Sequence, residues 1–131
     1  MSDVQSGKKE AAKPQKQKQK QKQKKRFYVW RKSFISTDIV FLELELLAMP
    51  LHPRSLPYIN FNMNLLNLGV ILAGRLPIWL YAHLMTKARA ARFVAIFCPW
   101  MKSAVIVMSK DPNFKVGDQF PINYKELTFE E

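Results

Sequence analysis

The sequence predicts a small α+β domain with one main helix, carried behind a basic tail. Three observations predict it. Short apolar runs of strand length recur between turn residues from position 38 onward. Only Ile78–Arg89 has the length and the apolar faces of a helix. Charge is also segregated: residues 1–32 hold twelve Lys/Arg against two acids, and residues 33–131 hold nine against eight. The formal net charge of +11 over 131 residues therefore sits almost wholly in the tail, and the body is nearly neutral. This length rules out a TIM barrel or a two-lobed kinase. A single cysteine, Cys98, excludes an internal disulfide framework and a cysteine zinc site. The division drawn from composition is a tail and linker over 1–32 and a folded domain over 33–131, in a soluble, cytoplasmic protein.

Between Lys16 and Lys25 the chain holds only Lys and Gln. Nothing apolar offsets the entropy of ordering it, so the sequence predicts disorder. No apolar h-region follows the charges, so it is not a secretory signal. Lys16, Lys18, Lys20, Lys22, Lys24, Lys25 and Arg26 read either as an electrostatic arm for nucleic acid or as a solubilising tail. Phe27–Phe34, mixed basic and aromatic, reads as a join to the domain.

Asp38–Leu47 alternates Phe41, Glu43 and Glu45 with Leu42, Leu44 and Leu46, which predicts a strand with one wet face over its second half. Pro50, Pro53 and Pro57 predict an irregular connection. Leu68–Ala73 reads as a buried strand. Gly74-Arg75-Leu76 turns the chain, and Pro77 suits the first position of a helix over Ile78–Arg89. Its apolar stripe is read as Ile78, Tyr81, Met85 and Ala88, with Trp79, Leu80 and Leu84 adding surface for a subunit contact. Phe93–Cys98 and Ser103–Ser109 predict an antiparallel pair, and Gln119–Tyr124 an edge strand limited by Pro121. Residues 65–85 approach the length of a membrane span, about 20 apolar residues. Arg75 near the centre, with Gly74 and Pro77 beside it, argues against a span and for no membrane role.

The body offers little for catalysis. Glu43 and Glu45 share a strand face and read as a solvated face rather than a cation site. His83 reads as a packed histidine, His52 as a loop residue, and Cys98 as an inert thiol without a base nearby. Binding fares better. A strand–Gly74–Arg75–x–Pro–helix junction presents free N–H groups and a guanidinium fork, both suited to phosphate. Lys87, Arg89, Arg92, Lys102 and Lys110 extend a positive surface.

The run Gly74-Arg75-Leu76-Pro77-Ile78-Trp79-Leu80 resembles the Csx-three family of CRISPR-associated proteins, whose members carry G-R-G-P-I-W-L at this junction. The resemblance covers about Ile39 to Ile122. It implies a ferredoxin-like fold related to the CARF sensors, and a homodimer. It also implies a partner ligand, cyclic oligoadenylate or RNA, within type III antiviral defence, and contact with type III effector components. The family is a manganese-dependent ring nuclease and RNA deadenylase. Its catalytic positions fall here on Cys98, Trp100, Arg89 and Lys110, none of which keeps the family's residue type. The resemblance therefore implies a non-catalytic binder with no metal and no cofactor, phosphate being held by Gly74 and Arg75. The second reading is an active metal-dependent nuclease with relocated residues, and the third a structural RNA-binding subunit.

Overall fold

A computed structural model describes residues 27–48 and 50–130. The seven tail cations lie outside the described residues. Six strands and one α-helix follow in the order β1 (Tyr28–Ser36), β2 (Ile39–Leu46), β3 (Gly69–Ala73), α1 (Ile78–Lys87), β4 (Phe93–Cys98), β5 (Ser103–Ser109) and β6 (Gln119–Pro121). This is the α+β class with one main helix.

The six strands form one sheet whose spatial order is their chain order. β2, β3 and β4 are parallel neighbours, and antiparallel hairpins extend the sheet at both edges. The ferredoxin-like arrangement implied by the resemblance sets another strand inside its βαβ unit; here β3 and β4 are direct neighbours. The two crossovers, β2 to β3 and β3 through α1 to β4, step the same way along the sheet. Right-handed crossovers must then lie on one face. Leu51, Ile59 and Leu65 of the first and Leu80, Leu84 and Ala88 of the second pack there with Val40, Leu42, Leu44, Val70 and Leu72.

The opposite face carries Phe41, Ile71, Phe93, Ala95, Phe97 and Ile106. No crossover remains to cover it, and the C-terminal segment does so. Residues 122–130 run back across this face as a strap, and the Glu130 amide donates to the Lys32 carbonyl at 2.7 Å. The Tyr124 and Phe129 rings lie 6.0 Å from that of Phe41. The Arg31 guanidinium lies 4.3 Å from the Phe129 ring centre.

Several expectations change. The segment read as a join is the edge strand β1, so a boundary at 32/33 cuts through it; Trp30 is buried on the helix side. Arg31 and Lys32, one on each face of the strand, hide β1 within the basic run of the tail. The proline-rich connection contains a short 3₁₀ helix, Pro53–Tyr58, capped by His52 Nδ1 accepting from the Arg54 amide at 3.1 Å. Pro77 is the N-cap of α1, one position before the first helical residue. The buried face of α1 is Leu80 and Leu84, whereas Ile78 is 82% exposed. Leu80 and Leu84 are covered by the chain's own sheet, whereas Trp79, the third residue read as contact surface, stays exposed beside Ile78. The wet half of β2 is as expected: Phe41 is buried, Glu43 half-buried and Glu45 exposed.

Candidate functional site

In a parallel sheet, the carboxyl ends of the strands are where loops diverge and ligands fit. Here β2, β3 and β4 end beside a cleft of about 830 Å³. Glu43, Ala73 and Phe97 form its floor. Gly74 and Arg75 form one wall, Pro99 and Lys102 of the β4–β5 hairpin another, and Pro121 of β6 with strap residues Ile122, Asn123, Tyr124 and Lys125 the third. A smaller cleft of about 390 Å³ shares Glu43 and Arg75 and adds Arg31 and Leu44–Leu46.

Gly74 sits at φ +134°, outside the range of ordinary L-residues. A Cβ there would lie closer than 3.0 Å to the Leu44 carbonyl oxygen. Glycine is therefore required for β3 to end tightly against β2. The Tyr81 hydroxyl, on the second turn of α1, donates to the Gly74 carbonyl at 2.6 Å. Burial pushes that hydroxyl up to about 12, with the charges of Cys98 and Glu43 adding to the rise. It remains a donor at all ordinary pH values. Arg75 is exposed, and among the described residues it makes no ion pair. The first turn of α1 has no acidic residue and no side-chain cap, which leaves its positive end open three residues beyond Arg75.

Glu43 is the carboxylate of the cleft. It accepts from the Tyr124 hydroxyl at 2.6 Å and pairs with Arg31 at 3.4 Å. Burial, then the hydrogen bond and charge of Glu43, raise the Tyr124 hydroxyl pKa, and Arg31 opposes them. The lining sets three cations, Arg75, Lys102 and Lys125, against this one carboxylate, which Arg31 already pairs. The cleft is cationic, with the Phe97 ring in its floor.

The sequence-derived positions separate into two places. Gly74 and Arg75 are in the cleft wall, and Cys98 and Trp100 lie at the same end of β4. Arg89 and Lys110 are at the opposite end, where the Lys110 ammonium caps the Arg89 carbonyl. The Lys110 amide bonds the Arg92 carbonyl, and Arg92 pairs with Asp38 and Asp111. Six strand residues separate the two groups, roughly 20 Å at about 3.3 Å per residue. Within one chain, the four positions do not surround one site. Among the described residues no three His, Cys, Asp or Glu side chains gather as a metal set. The cleft does not fit manganese: its carboxylate, Glu43, is tied to Tyr124 and Arg31, and the Cys98 thiol, a soft ligand in any case, is not part of its lining. His83 Nε2 is buried without a hydrogen-bond partner, on α1 rather than in the cleft wall.

Sequence reasoning did not find Asn123, Tyr124 and Lys125. They reach the cleft only because the strap folds back over the sheet, and local periodicity carries no signal for that. Lys102 was legible as a basic residue after a Pro99 turn, but not as a neighbour of Arg75.

The model of the family described as CRISPR-associated protein (Cas_csx3) matches residues 44–121, from the end of β2 to the last residue of β6. The chain belongs to this family. It is a CRISPR-associated protein. A relative from Aquifex aeolicus (strain VF5), described as an uncharacterized protein, is 36% identical over 93 residues, covering 68% of this chain and 83% of that one. The family match contains Gly74, Arg75 and Lys102 but stops before the strap, so this Cas_csx3 member closes its cleft with residues beyond the matched region. Among the described residues no helix is long and apolar enough to cross a membrane.

Proposed function

We propose that this Cas_csx3 protein binds cyclic oligoadenylate, or RNA of the same phosphate and base chemistry, in the cleft at the ends of β2–β4, without hydrolysing it. The cationic cleft carries the reading. Arg75, Lys102 and Lys125 converge on one concave surface whose carboxylate, Glu43, is already paired. Arg75 supplies a planar donor fork and the lysines mobile point charges, the division of labour that suits a phosphodiester. The Gly74 turn fixes where Arg75 emerges, and Tyr81 holds that turn from the helix. The cytoplasmic location, the homodimer and the contact with type III effector components belong to the same proposal and rest on the family. The tail cations add sequence-independent, salt-dependent attraction.

The test is equilibrium binding of labelled cyclic tetra-adenylate to the full chain and to Arg75→Ala. Loss of the guanidinium contact costs about 1–3 kcal/mol. Equal affinity of the two proteins would remove Arg75, and with it the phosphate reading of the cleft.

A further inference from the structure

The tip of the β4–β5 hairpin carries a tryptophan that no packing or fold requirement explains. Cys98 pairs with Ser103, leaving Pro99–Lys102 as the loop. The Met101 amide bonds the Cys98 carbonyl at 3.0 Å, and the Lys102 amide bonds the Pro99 carbonyl at 3.1 Å. Pro99 occupies the position that proline favours in such a turn, and Lys102 sits at φ 54°, in the left-handed region. The loop is thus tightly turned, and Trp100 stands at its apex. The indole is 83% exposed, more than any other large hydrophobic side chain among the described residues. The residues that flank the loop apex, Pro99 and Lys102, both line the cationic cleft.

A large aromatic face exposed on a tight turn whose flanking residues line a cleft with three cations is an arrangement suited to single-stranded nucleic acid. The cations take the phosphates and the ring takes a base, which every nucleobase satisfies through its π-face. A protein partner would leave the cations of the cleft that Pro99 and Lys102 line without a function, whereas a single strand uses both them and the exposed ring. We infer that Trp100 stacks on a nucleobase of a single-stranded ligand whose phosphates lie on Arg75 and Lys102. This rests on the phosphate reading of the cleft and adds a base contact to it. The rigidity of the hairpin matters, because a preorganised ring loses little freedom on stacking.

The experiment compares the full chain with Trp100→Ala, Trp100→Phe and Arg75→Ala, using calorimetric titration with two probes: the trinucleotide of adenylate and inorganic tripolyphosphate. Salt of about 0.3 M suppresses the contribution of the tail. Trp100→Ala is expected to weaken the trinucleotide by roughly 5- to 100-fold. Trp100→Phe should recover most of that loss, and neither variant should change tripolyphosphate binding. Arg75→Ala should weaken both probes. If Trp100→Ala leaves trinucleotide binding unchanged while Arg75→Ala weakens it, stacking is wrong and the phosphate site stands. If Trp100→Ala weakens both probes equally, the residue shapes the cleft and does not stack, which also overturns the inference. If Arg75→Ala changes neither probe, the phosphate reading fails, and the inference with it.

Discussion

Replacing Gly74 by alanine tests whether the cleft wall depends on one backbone conformation. The residue sits at φ +134°, and an added methyl would meet the Leu44 carbonyl oxygen, a backbone atom of β2, at less than 3.0 Å. The carbonyl cannot swing away as a side chain would, because Leu44 is held in register with Trp30 of β1 and follows directly on the Glu43–Ala73 pair with β3. Holding a non-glycine residue in a sparsely populated region costs about 1–3 kcal/mol. Displacing packed backbone costs a similar amount. The sum, about 2–6 kcal/mol, lowers Tm by at least about 8 °C in a domain of this size. Thermal unfolding followed by circular dichroism reads the shift, with Arg75→Ala as the control. Arg75 is exposed, and its loss should leave Tm within a few degrees. A fall of less than about 4 °C in Gly74→Ala would show that the β3 end relaxes freely, and the argument for a fixed wall would be refuted.

Tyr81 gives a pH signature. Its folded-state pKa is raised above the ordinary 10.0, so the protonated form is favoured by folding. Its contribution to stability is full below pH 10 and declines as pH rises from there to about 12. Urea titrations across that window should show a decline that Tyr81→Phe lessens; an unchanged slope would count against the burial of the Tyr81 hydroxyl. Deleting residues 1–25 should leave Tm within a few degrees while weakening RNA binding and its salt dependence. Deleting 1–32 instead removes Trp30 and half of β1, and should destabilise the fold by several kcal/mol; equal stability of the two truncations, read by chemical denaturation, would show that β1 is dispensable. Cys98→Asp combined with Arg89→His and Lys110→His should create no shared manganese site within one chain, since the positions lie at opposite ends of β4. Tight, stoichiometric manganese binding by the monomeric triple variant, measured by calorimetry, would contradict that placement.

The strands from β2 to β5 were legible because their side-chain patterns are local. Phe93–Cys98 and Ser103–Ser109 emerge with the expected ends, since Pro99 and Lys102 punctuate them. β1 was not legible. Its buried residues Trp30 and Ser33 lie on opposite faces, opposite Leu44 and Phe41, so no single apolar face alternates, and Arg31 and Lys32 between them made it read as part of the basic tail. The helix was legible, but its buried face was not. A helix apolar on most sides does not declare which stripe meets the sheet, and packing chose Leu80 and Leu84 over Ile78. Half of the candidate site was visible in Gly74-Arg75, because glycine beside arginine before a proline-led helix is a local pattern. The other half was not, because the strap reaches the cleft through a fold-back spanning the whole sheet. Tyr124 and Glu43, hydrogen-bonded at 2.6 Å, are 81 residues apart in sequence.

The central claim is that the cleft binds an oligoadenylate and leaves it intact. Incubating the full chain with labelled cyclic tetra-adenylate and manganese, and reading retained and cleaved label separately, tests it most directly. The account predicts retained, uncleaved ligand, with retention reduced in Arg75→Ala. Cleavage above background that is lost on mutating a residue of this chain, or no retention at all, would contradict it.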